Sequence, residues 1–137
     1  MLRAVLDVNV LVSAVLLPGI CRSIVLALEK DKFSLVLSPV LFEDFLRAME
    51  KPKLKKLVSG GILEDIIVLI HSKAWIVEPK TRLHICRDPS DDAVIECAVE
   101  SRSDVIVSGD KDLLSLGFFR QVSVLSPRAF ARKIRVI

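Results

Sequence analysis

Short aliphatic runs alternate with helix-forming segments along almost the whole chain, and that alternation restricts the fold more than any other feature. The runs are Leu2–Leu6, Ser34–Leu37, Trp75–Val77, Asp104–Val107 and Val122–Leu125. Most are continuous in polarity rather than alternating, as strands buried on both faces require. Helical spacing of apolar residues marks 10–17, 20–30, 39–50, 54–58, 62–71, 90–101 and 128–133. Three of these starts are punctuated by a capping side chain and a proline: Ser38-Pro39, Asp88-Pro89 and Ser126-Pro127. Such a side chain accepts bonds from free helix N–H groups, and proline suits the first helical position. Strand and helix in alternation, with short breaks and no linker, predict an α/β fold. The expected architecture is one domain over residues 1–137, a central mostly parallel sheet flanked by helices on both faces.

Composition agrees with a packed aliphatic core. Hydrophobic residues make up 52% of the 137, aromatics only 5%, and Tyr is absent. No segment reaches the roughly 20 apolar residues that span a bilayer. Val8–Leu17 follows Arg3 and superficially resembles a signal peptide, but Asp7 and Asn9 open it and Pro18-Gly19 closes it. That pattern fits a buried strand running into a polar site, so neither export nor a membrane is expected. Cys21, Cys86 and Cys97 are odd in number and form no C-x-x-C pair, which leaves a reduced cytoplasmic setting as the expectation. His71 and His84 have no partner at helical spacing, and no phosphate-binding glycine loop is present. The net charge of +3 does not itself specify a nucleic-acid partner. Lys51, Lys53, Lys55 and Lys56 nevertheless crowd one segment, and Arg128, Arg132, Lys133 and Arg135 crowd another. Each group reads either as a solvated helix face or as a track for phosphates.

Sites in open parallel sheets form at the carboxyl ends of the strands. Asp7 ends the first strand, Glu43 lies about one turn into the helix after the second, and Asp92 sits in the first turn opened by Asp88-Pro89. Asp110 follows the strand Asp104–Val107 in Ser108-Gly109-Asp110. Each acid has a structural alternative as a helix cap, a turn residue or, for Glu43, a partner of Arg47. Gathered on one edge they would repel one another, and a hard divalent ion such as Mg²⁺ or Mn²⁺ matches an all-oxygen ligand set. Asp91 stands in the capping-box position relative to Asp88, which suggests a structural role. Glu96, one turn beyond Asp92, reads as solvent-facing.

With these residues in place the chain resembles the PIN-domain family, in the branch of toxin components of toxin–antitoxin pairs. The resemblance rests on Asp7-Val8-Asn9, where the family usually has Asp-Thr-Asn, on Glu43 in LFEDFLRAM, on Asp92 in DPSDDAVIECA and on Asp110 in VSGDKDLL. It covers nearly the whole chain, and Val8 in place of Thr is its departure. The resemblance implies a metal-dependent ribonuclease with Asp7, Glu43, Asp92 and Asp110 as catalytic and metal-holding residues. Asn9 and Asp112 are supporting positions, and Lys51, Lys53, Lys55 and Lys56 are candidates for RNA binding. A cognate antitoxin and a homodimer are further implications of the family.

Two other readings stand beside it. A non-catalytic PIN scaffold would hold RNA or a protein without cutting. A phosphatase resembling the haloacid-dehalogenase superfamily would share the Asp after the first strand and the acidic GDKD. That superfamily wants a second Asp two residues after the first, where this chain has Asn9.

Overall fold

The computed structural model describes residues 1–137 and forms one six-stranded sheet. Strands β1 (Arg3–Leu6), β2 (Ser34–Leu37), β3 (Trp75–Ile76), β4 (Val105–Val107), β5 (Phe118–Phe119) and β6 (Val122–Leu125) lie in the order β3-β2-β1-β4-β6-β5. All pairings are parallel except β5 with β6. The helices are α1 (Val8–Leu16), α2 (Ile20–Leu26), α3 (Pro39–Met49), α4 (Pro52–Lys55), α5 (Ile62–Lys73), α6 (Pro89–Glu100), α7 (Lys111–Leu116) and α8 (Pro127–Lys133). This is the expected α/β architecture.

Connections from β1 to β2 to β3 step one way across the sheet, and those from β3 to β4 to β6 step the other way. Right-handed crossovers therefore place α1, α2 and α5 on one face and α6 and α7 on the opposite face. The chain's last helix, α8, packs on α2. Burial follows from this double cover: Ala4, Val5, Leu6, Leu35, Val36, Leu37, Val105, Ile106 and Val107 are all essentially inaccessible. Phe33 and Phe130 meet edge-on with ring centroids 5.1 Å apart, closing the core beneath α8.

The three proline-marked starts are real caps. Ser38, Asp88 and Ser126 each accept a backbone N–H, from Leu41, Ser90 and Ala129 respectively. No single helix is long and apolar enough to cross a membrane, and the α1 segment meets the α2 segment at 101°. Cys21, Cys86 and Cys97 are free thiols.

Two local expectations are corrected. Phe118–Phe119 is an additional antiparallel strand, turned by Arg120 and Gln121 with φ of 46° and 72°. Glu96 does not face solvent. It is buried and accepts the Leu83 N–H at 2.7 Å, because residues 77–88 run as an irregular strap across that side of α6.

The β1–β4 pair is where the sheet's connections change direction. Ligand clefts open at such a switch point, outside the carboxyl ends of the strands.

Candidate active site

Asp7 follows β1 and its backbone N–H is held by the Val107 carbonyl at 2.9 Å, which fixes it beside the end of β4. Although it occupies the N-cap position of α1, its carboxylate makes no capping bond. Its side-chain partner is Ser108, whose hydroxyl donates to Asp7 Oδ2 at 2.7 Å. The Ser108 hydroxyl oxygen in turn accepts the Asp110 N–H at 2.9 Å. One fully buried hydroxyl thus ties the loop after β4 to the acid after β1. Sequence reasoning passed over Ser108; a serine two residues before an Asp that itself opens a helix is the available signal.

Asp110 caps α7 by accepting the Asp112 N–H at 2.7 Å. Asp91 projects from the first turn of α6 toward this loop, and carboxylate oxygens of Asp91, Asp110 and Asp112 come within 4.8 Å of one another. Asp7, Asp91 and Asp110 share a cleft of about 410 Å³. Its other wall is α3 and the turn after it: Asp44 and Arg47 on the helix and Lys51 just beyond face in, with Leu41 and Ala48 beside them. Arg47 pairs with Asp44 at 3.0 Å. Asp7, Asp91 and Asp110 have no cationic partner within salt-bridge distance.

Of the four acids expected at the site, then, Asp7 and Asp110 are brought together. The other two lie off that cleft, and in each case a neighbouring residue lines it. Glu43 is exposed and off the cleft, because the next residue, Asp44, shares the inward stripe with Leu41 and Ala48. Asp92 is buried on the far flank of α6, accepting the N–H groups of Ile85 at 3.1 Å and Cys86 at 2.9 Å. Asp91, assigned a capping-box role from sequence, is the α6 acid that lines the cleft. Asp88 caps through Ser90 instead.

The supporting positions separate too. Asn9 lines the cleft, while Ser108 is the group that orients Asp7. Asp112 belongs to the acidic group but is paired with Arg87 at 2.8 Å. Among the lysines, Lys51 reaches the cleft wall. Lys53 and Lys55 sit on α4 with Lys56 just beyond it, all exposed, and Lys55 lies 3.7 Å from Glu50.

Crowding of uncompensated carboxylates is visible in their proton affinities. Asp91 is raised from 3.8 to about 6, first by loss of solvent and then by Asp110, Asp7, Asp88 and Asp112. Burial also raises Asp7, opposed by the Ser108 hydrogen bond and reinforced by Asp110. An all-oxygen donor set whose ionised form is disfavoured in isolation suits a hard divalent cation.

Asp91 holds its proton more tightly in the folded than in the unfolded chain, so between 3.8 and about 6 the folded state binds more protons. Asp91 therefore makes metal-free stability fall as pH rises through that window, with no further change above it. Urea denaturation in EDTA at both ends of the window should show this component, and Asp91→Asn should remove it. Mn²⁺ added above the window should raise wild-type stability, because only the folded state gathers the carboxylates. A variant with an unchanged pH profile would refute the electrostatic account.

A sequence model of the PIN domain matches residues 3–112, a span that holds every acid of the cleft. The chain belongs to the PIN domain family. PIN domains are generally nucleases, typically use divalent metals and act on RNA. The chain is also similar to an uncharacterized protein of Methanocaldococcus jannaschii, 41% identical over 51 residues. That match covers 37% of this chain and 32% of the relative, so the chain aligns with about a third of that protein's length.

Proposed function

We propose that this PIN domain is a divalent-metal-dependent endoribonuclease. The observation that carries the reading is the trio Asp7, Asp91 and Asp110. Three carboxylates without cationic partners face one cleft, whose opposite wall presents Arg47 and Lys51. Those three acids would hold the ion, with Asp112 at their edge. When bound, a divalent cation supplies positive charge to the phosphodiester and acidifies the attacking water. The chain's own groups do the remaining work. Ser108 fixes the Asp7 carboxylate and the Asp110 loop in one arrangement, so little reorganisation is left for the reaction. Arg47 on α3 and Lys51 just after it offer donors to the RNA backbone, and Lys53, Lys55 and Lys56 extend that basic side. Binding through such contacts weakens steeply with salt.

The reading assigns the protein to the cytoplasm, where RNA is present and three free thiols stay reduced. A role as the toxin of a toxin–antitoxin pair extends the family resemblance, with an antitoxin and a second copy of the chain as partners. Induced expression that arrests growth, and does not when Asp7 is replaced by Asn, would support that role.

The direct test is cleavage of a labelled, unstructured RNA by purified protein with Mn²⁺, Mg²⁺ or EDTA. Wild type should cut with either metal and stop in EDTA. Asp7→Asn and Asp110→Asn should each lose at least about a hundredfold in rate, more than second-shell changes at metal sites cost. Cleavage that survives EDTA or either substitution would sink the proposal. RNA binding without cleavage under every metal condition would favour the non-catalytic scaffold.

A further inference from the structure

Arg87 is the arginine that pairs with the acidic group of Asp91, Asp110 and Asp112. Arg22 spends its donors on the carbonyls of Ala14 and Val15, and Arg82 reaches the buried Glu96. Arg87 uses a single nitrogen, Nη2, which donates to both oxygens of Asp112 at 2.8 and 3.0 Å. Its Nε and Nη1 donate to no protein acceptor, and its side chain is 86% exposed. The anchoring carboxylate is no ordinary surface acid, since it belongs to the group that includes Asp91 and Asp110. A guanidinium with free donors is therefore held beside the acidic group, one carboxylate away from Asp91 and Asp110. Arg47 on α3 and Lys51 just after it line the cleft itself.

Exposed ion pairs are cheap to rearrange, and the planar guanidinium matches phosphate as well as it matches carboxylate. The cleft's acids repel a polyanion, so its approach needs fixed positive charge at the rim. We infer that Arg87 is a phosphate ligand for the RNA, gripping a backbone phosphate on the α6–α7 side of the cleft while Asp112 serves as its anchor. The inference rests on the nuclease reading and deepens it: the strand crosses the acids with basic groups at Arg47 and Lys51 and again at Arg87. Arg87 immediately precedes the α6 cap Asp88, so the same turn that presents Asp91 also places Arg87.

The test uses Asp91→Asn as a non-cleaving parent and fluorescence anisotropy with a labelled single-stranded RNA in Mg²⁺, over a KCl series. Adding Arg87→Ala should weaken binding about five- to tenfold and lower the log–log salt slope by about 0.7, the loss of one phosphate contact on a single strand. Arg87→Lys should keep the slope. Part of the loss should persist when Asp112→Asn is also present, since Arg87 itself meets the phosphate and only its positioning depends on the anchor. Unchanged affinity and slope, or a loss that vanishes in the Asp112→Asn background, would overturn the assignment. If wild type cleaves RNA while Arg87→Ala binds normally, only this inference fails. If neither wild type nor parent engages RNA, the nuclease reading fails and takes this inference with it.

Discussion

Asp91→Asn is expected to reduce RNA cleavage by at least about a hundredfold, while Asp92→Asn leaves it within about tenfold of wild type. The two residues are neighbours in sequence and both are buried, yet their surroundings differ completely. Asp91 faces the cleft with other carboxylates and no cationic partner, so its charge is not used by the fold. An Asn there removes a charge from a repelling group, and metal-free stability should hold or rise. Asp92 faces two backbone amides, and Asn can still accept from both through its own carbonyl oxygen. Its cost should be about 1 kcal/mol of stability, the difference between a charged and a neutral acceptor. Cleavage rates beside urea midpoints for the two variants measure both effects. Equal loss of cleavage in the two, at preserved stability, would mean that the α6 acid has been misplaced.

The contrast between these two residues also explains what the sequence could and could not reveal. Asp7 and Asp110 were legible because each follows a buried aliphatic strand, and strand direction alone then dictates the edge it reaches. Acids inside helices are different, since adjacent positions diverge by about 100° around the axis. Which one faces the sheet edge depends on helix rotation, and packing decides that. In α6 the buried Val94, Ile95 and Ala98 lie three, four and seven residues after Asp91, so Asp91 shares the inward stripe. In α3 Leu41, Asp44 and Ala48 form the equivalent stripe. The capping-box pattern concealed Asp91, because Asp88 closes its cap through Ser90 and leaves the Asp91 carboxylate uncommitted to it. The β5–β6 hairpin was illegible for another reason. Its turn uses Arg120 and Gln121 at positive φ, where an Asn-Gly or Asp-Gly pair would be the usual signal.

Asp92 matters for a different purpose, and replacing it with alanine should be far more damaging than replacing it with asparagine. Asp92, Glu96 and Glu100 recur every fourth residue along one flank of α6. They accept, in order, the N–H groups of Ile85 and Cys86, of Leu83 and of Lys80. Residues 77–88 form no regular structure, so these carboxylates stand in for the sheet or helix partners that strap would otherwise have. Asp92→Ala strips the acceptor from two part-buried amides, at about 1–3 kcal/mol for each that stays unpaired. A combined loss of about 2–4 kcal/mol is expected, partly offset where water reaches the amides. Glu96→Ala should cost about 1–3 kcal/mol by the same reasoning, with Glu96→Gln much milder because it keeps an acceptor. The losses should not add in the double variant, since the contacts hold one continuous segment. Amide hydrogen exchange locates the effect: Asp92→Ala should deprotect Ile85 and Cys86 first, and Glu96→Ala should deprotect Leu83. The strap ends at Arg87 and Asp88, which open α6 and aim Asp91, so the alanine variants should also cut more slowly. That loss should track strap protection and be recovered by Glu96→Gln, whereas the loss in Asp91→Asn comes with the strap fully protected. Unaltered protection in Asp92→Ala would show that the ladder of carboxylates does not hold the strap.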